Sequence, residues 1–198
     1  LTAMLFTNLP VAEALVAHQA NLNARAKDGS TPLNLAALKG SVPLAELLLK
    51  AGASANLQDN TGFTALNTAA EHGHIEVMRR LLAHGANPNL ACPDDQASTV
   101  NGQAPMHSAA IRGEVAMLRL LLDKGAFLNL QSKAGTPLGW AVRGEHRPAV
   151  EFLLQCGALP NLPSSDQGMT PLHWAAILGQ ADLVALAKVR QVEKQERS

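Results

Sequence analysis

The chain has 198 residues, and its 16 basic and 16 acidic side chains cancel. No net field draws it toward nucleic acid or an anionic membrane, and an aromatic content of 3% offers no platform for stacking bases. The longest apolar stretches are broken by Asn8, Pro10, Glu13 or Lys50, too soon for a membrane span, and the two cysteines match no metal-ligand spacing.

The chain opens inside a helix: Leu1, Met4, Leu5 and Phe6 read as its last turns, and Pro10 to Ala17 as a second helix. Such a start predicts a piece of a longer protein. Gln19 stands where later segments place glycine, which predicts a frayed or altered helix end. Thr31 then caps a short helix that starts at Pro32 and runs through Leu33, Leu35, Ala36 and Ala37 to Gly40. Leu44, Leu47 and Leu48 form the stripe of an outer helix closed by Gly52, and Ala53 to Gly62 reads as a loop or hairpin. Thr64 to Asn89 repeats the pattern, with Ala65 in place of the proline.

Seven extra residues then lie within Leu90 to Gly102, a run of Pro, Asp, Ser, Asn and Gly that reads as a loop. It is either a tolerated surface insertion or a finger, residues 91–100, that touches a partner through Asp94 and Asp95. Those two aspartates lack the further ligand spacing of a calcium site. Ala104 starts the next helix pair. The following one, from Thr136, is predicted to have a tighter hairpin and a rearranged helix end, because Glu145 replaces glycine there. The last, from Thr170, runs out into Lys188 to Ser198, a polar, helix-prone tail of the sort that leaves the open end of a stack wet.

Asn23, Asn56, Asn89, Asn129 and Asn161 recur at steps of 33, 33, 40 and 32, and Leu15, Leu48, Leu81, Leu121 and Leu153 each stand eight residues before them. One such helix pair cannot bury its own apolar face, whereas stacked pairs can. The period and the TPLHWAA run at Thr170 resemble those of the ankyrin-repeat family over nearly the whole chain. The resemblance implies an all-α solenoid of stacked helix-turn-helix units with hairpin loops, forming a single domain of about six repeats. Their expected bounds are 1–23, 24–57, 58–90, 91–130, 131–162 and 163–198.

His107 and His173 occupy the family's TPLH position, where the resemblance implies a local hydrogen-bonding role that holds the loops. His72 and His74 flank a helix end and are expected to be solvated. Cys156 reads as a small buried apolar residue, and Cys92 as exposed with no neighbour that makes it a nucleophile. No paired nucleophile and base, phosphate loop or metal motif is present in the sequence, so the expectation is a non-enzyme with no cofactor and no metal.

Family members bind other proteins through hairpin tips and the exposed side of the inner helices. Carried over, this marks Phe63, Glu71 and His72 in the third repeat, and Gln103, Ile111 and Arg112 in the fourth. It marks Lys133 and Arg143 in the fifth, and Met169, Ile177 and Leu178 in the sixth. Trp140 and Trp174 stand one residue after the TPLH histidine position, either packed between inner helices or forming a patch on the inner face. The implied function is an adaptor, scaffold or inhibitor that meets its partner on the concave face. The alternative is the targeting or regulatory arm of a larger enzyme. The expected partner is another protein, with no nucleic acid and no membrane. The expected state is a monomer in the cytoplasm or nucleus, where a cysteine pair without a framework would remain reduced.

Overall fold

A computed structural model describes residues 9–92, 102–164 and 167–179. Among them are ten helices of seven to nine residues and no strand beyond an isolated bridge between Ser132 and Gly135. Helices this short are marginal alone, so their stability comes from the apolar faces they bury on one another. The helices are α1 (Leu9–Ala17), α2 (Pro32–Leu38), α3 (Val42–Lys50), α4 (Ala65–His72), α5 (Ile75–Ala83), α6 (Pro105–Ile111), α7 (Val115–Asp123), α8 (Pro137–Arg143), α9 (Arg147–Gln155) and α10 (Pro171–Ile177). The chain divides between Pro93 and Asp94 into two units.

In the first unit the inner helices α2 and α4 pack side by side, and the outer helices α1, α3 and α5 follow one another behind them. Ala36, Ala37, Ala69 and Ala70 are fully buried, because their small side chains let neighbouring inner helices approach. Leu44, Leu48, Leu81 and Met78 fill the layer between inner and outer rows. The second unit repeats this arrangement with α6, α8 and α10 inside and α7 and α9 outside. Its core is built from Met106, Met117, Leu118, Leu121, Leu138 and Leu153.

Four of the five described inner helices, α2, α4, α8 and α10, start at a threonine cap, and α6 starts at Ala104, which has no side-chain cap. The Thr31 hydroxyl accepts from the Asn34 amide at 3.3 Å, and Thr64 does the same for Asn67 at 3.2 Å. Each outer helix ends with a backbone bond from the residue five positions on to the recurring leucine: Ala20 to Leu15, Ala53 to Leu48, Ala86 to Leu81, Ala126 to Leu121 and Ala158 to Leu153, at 2.9–3.0 Å. This turn needs one left-handed residue, and Gly52, Gly85, Gly125 and Gly157 supply it. Gln19 takes the same conformation with φ 57°, so the first outer helix closes like the others and is neither frayed nor altered. The predicted rearrangement at Glu145 is likewise absent. Glu145 sits at φ 58°, in the left-handed region its glycine counterparts occupy, while Gly144 stays right-handed at φ −77°. The stacking closes the turn in one geometry and forces the side-chain-bearing residue into it.

The tighter hairpin of the fifth repeat is present. Ser132 and Gly135 exchange two backbone bonds at 3.0 Å, and the Ser132 hydroxyl adds a third at 2.7 Å. Leu1, Met4, Leu5 and Phe6, the loop from Pro93 to Asn101 with Asp94 and Asp95, and the tail with Lys188 lie outside the described residues.

Candidate protein-interaction surface

The hairpins are tied to one another at the repeat spacing. Arg25 donates to the Gln58 carbonyl at 2.8 Å, Gln58 to the Ala91 carbonyl at 3.0 Å, and Asn60 to the Lys27 carbonyl at 3.0 Å. Asp59 orders its own tip by accepting from Thr61 at 2.8 Å and from the Phe63 amide at 3.0 Å. Phe63 is consequently half-buried, and its carbonyl is already taken by Asn34 at 3.2 Å. Glu71 and His72 are exposed at the end of α4. His72 turns its Nδ1 to the Thr68 carbonyl at 2.9 Å and stacks on His74 with ring centres 6.1 Å apart.

His74 is not the solvated residue the sequence suggested. Its Nε2 lies 3.3 Å from the Leu38 carbonyl, and its ring lies against Gly40, where an added Cβ would come within 2.6 Å of Nδ1. His146 does the same in the second unit: a Cβ on Gly113 would lie 2.4 Å from its ring. Both glycines are left-handed and space-limited, so each serves a turn and a close approach at once.

His107 is fully buried. Its Nδ1 accepts from the Ala104 amide at 3.1 Å, which leaves Nε2 protonated to donate to the Leu130 carbonyl at 3.0 Å. Burial pushes its pKa down to about 4. Asn34 and Asn67 reproduce this bridge with an amide group. Their Oδ1 atoms accept from Thr31 and Thr64, and their Nδ2 atoms donate to the Phe63 and Leu90 carbonyls at 3.2 and 3.4 Å. His173 makes the local half, with Nδ1 3.2 Å from the Thr170 amide. His107, Asn34 and Asn67 are therefore spent on holding loops, and His173 on its own helix cap.

The cysteines reverse the sequence expectation. Cys92 is buried, and burial first, then the charges of Asp59 and Glu71, raise its thiol to about 12. Cys156 is exposed, because it follows the last turn of α9 at the cap instead of facing the core. Among the described residues no group of three His, Cys, Asp or Glu side chains is placed to hold a metal ion.

The inner face of the second unit brings several of the marked residues together. The Arg143 guanidinium lies 4.8 Å from the Trp174 ring centre and 5.7 Å from that of Trp140. Trp140 is fixed by an indole bond to the Ser132 hydroxyl at 3.1 Å and an edge contact with His107 at 5.8 Å. It thus packs and lines the face together. Ile177 is 65% exposed and Leu178 39% exposed beside Trp174, and Arg112 is exposed at 4.0 Å from Glu114. Ile111, Lys133 and Met169 are half-buried. Gln103 is buried instead of standing at a tip, with its amide on the Ser108 hydroxyl at 2.9 Å. Phe127, 62% exposed, and Leu159, 40% exposed, stand outside the positions that the family resemblance marks. Both occupy a turn position that holds Ser54 and Asn87 in earlier repeats, which was the available signal.

The description "Ankyrin repeats (3 copies)" matches residues 1–92, 90–164 and 134–188. The chain belongs to the ankyrin-repeat family. Among similar proteins, ankyrin repeat and SOCS box protein 16 of Homo sapiens is 38% identical over 81 residues, 40% of this chain and 18% of that protein. Osteoclast-stimulating factor 1 of Danio rerio is 44% identical over 61 residues, 30% and 28% of the respective chains. Palmitoyltransferase akr1 of Neurospora crassa is 34% identical over 95 residues, 47% and 13%. This ankyrin chain therefore spans less than a third of each of these relatives. Ankyrin repeats are protein-interaction modules, and among the described residues no helix is long and apolar enough to cross a membrane.

Proposed function

We propose that the chain is a non-catalytic module, acting as adaptor, scaffold or inhibitor, that binds another protein through the inner helices and hairpin tips of its repeats. The observation that carries this is the cluster of Trp140, Arg143, Trp174, Ile177 and Leu178 on the inner helices of the second unit. Large aromatic and apolar groups beside an arginine are the composition of interface hot spots. In the first unit Phe63, Glu71 and His72 offer the corresponding positions. The neutral overall charge fits a protein partner better than a polyanion. We take residues 1–198 as one ankyrin domain, supported by family matches that overlap at residues 90–92, and as a monomer inside the cell.

Capture of a partner with this chain, followed by titration of variants, tests the reading. Phe63→Ala and Arg143→Ala should each weaken binding by about 1–2 kcal/mol with little change in thermal stability. Arg79→Ala and Glu151→Ala, on outer helices, should leave binding unchanged. The reverse pattern would place the partner on the outer helices.

A second reading has its own support. One relative of which this chain spans 13% is a palmitoyltransferase by name. On that reading the array is the targeting or regulatory arm of a longer enzyme. The sequence beyond Leu1 and Ser198 decides it: only repeats or low-complexity chain there would remove it.

A further inference from the structure

The position seven residues after each inner-helix cap forms a row across the second unit. Counting from Ala104, Thr136 and Thr170, that row is Ile111, Arg143 and Ile177. Helices α6, α8 and α10, which carry them, pack in that order. Arg143 is exposed, and its guanidinium carbon lies over two indole rings, 4.8 Å from the centre of Trp174 and 5.7 Å from that of Trp140. A cation–π contact engages the charge of a guanidinium without using its N–H groups as hydrogen-bond donors to an oxygen. Among the described residues Arg143 makes no ion pair, although Arg112 and Arg147 each face a glutamate. A cation ordered in advance, and with its donors open, is suited to a planar two-oxygen acceptor.

We propose that Arg143 receives the carboxylate of an acidic residue in a bound extended peptide, whose apolar residues on either side rest on Ile111 and Ile177. This deepens the protein-binding reading and rests on it. Neighbouring helix axes lie roughly 8–10 Å apart, and an extended chain advances about 3.3 Å per residue. The apolar residues therefore belong about three positions before and after the acid. Glu114 and Glu145 stand three and two residues past the ends of α6 and α8, so a polyanion such as nucleic acid would meet repulsion where one carboxylate would not.

The test uses the whole chain and end-capped seven-residue peptides with leucine at both ends, glutamate at the centre and serine elsewhere. Twins carry glutamine at the centre, or serine at the ends. Binding is read by tryptophan fluorescence at low salt. The glutamate peptide should bind on the order of fivefold tighter than the glutamine twin, and the difference should shrink as salt rises. Replacing the end leucines with serine should weaken binding further. Arg143→Gln should erase the preference for glutamate, Arg143→Lys should keep part of it, and both should stay folded with a single cooperative unfolding transition. Equal binding of the glutamate and glutamine peptides would overturn this inference while leaving an inner-face binding site standing. No binding of any peptide would also overturn it, and the broader reading would then stand or fall by the partner titration alone.

Discussion

At His107 burial decides the chemistry. The ring is kept neutral at about 4, against an ordinary 6.5, because the charged form has no water around it. The sign follows: between those two values the unfolded chain binds a proton that the folded chain refuses. Stability is thus full above about 6.5 and falls as pH drops toward 4, by about 3 kcal/mol at the limit. Asn34 and Asn67 make the same bridge with a side chain that does not titrate. His107→Asn should therefore keep most of the neutral-pH stability and flatten this part of the pH profile, as read by urea unfolding from pH 7 to 4. An unchanged slope in the variant would assign the lability to other groups. The histidine role was legible from the TPLH run. The asparagines were not, because their equivalence to imidazole rests on two hydrogen bonds, one of them to a carbonyl 23 or 29 residues further on. The cysteines were misjudged for a similar reason: one residue of shift at a helix end, or one turn of loop, decides exposure. With one equivalent of a thiol reagent at neutral pH, Cys156 should react and Cys92 should not until the chain is unfolded. Modification of both in the native protein would contradict the burial of Cys92.

Helix ends show how the elements constrain single residues. The recurring leucine carbonyl and the amide five positions on close every described outer helix, including α1, whose left-handed residue is Gln19. At the inner helices the corresponding left-handed site is glycine except at Glu145, held at φ 58°. A side chain there costs about 1–2 kcal/mol, of which glycine would return part through its greater freedom in the unfolded chain. Glu145→Gly should therefore stabilise by about 0.5–1 kcal/mol in denaturant titrations, and a loss of stability would mean that the glutamate makes a contact of its own. Helix positions, caps and apolar stripes could all be read from the sequence, because they follow from local spacing. The persistence of the turn through Gln19 and Glu145 could not, since local preference there predicts a break and packing overrides it. His74 and His146 escaped notice likewise, because their seats are glycines one repeat earlier.

For the whole molecule, the repeat period carried the family and the layered arrangement of each unit, while the surface was legible only in part. Trp140, Arg143 and Trp174 are far apart in sequence or on different turns, and their grouping into one cluster needed side-chain positions. Gln103 was marked as a tip residue and is buried. Phe127 is the counterweight, a large exposed apolar side chain on a turn after an outer helix, away from the inner row. These two places make a direct comparison. Side-chain oxidation of the chain, free and with a captured protein partner, followed residue by residue, tests the proposed surface. The partner should reduce oxidation of Trp140 and Trp174 several-fold and leave Phe127 as it was. Protection of Phe127 with both tryptophans unchanged would contradict binding through the inner helices.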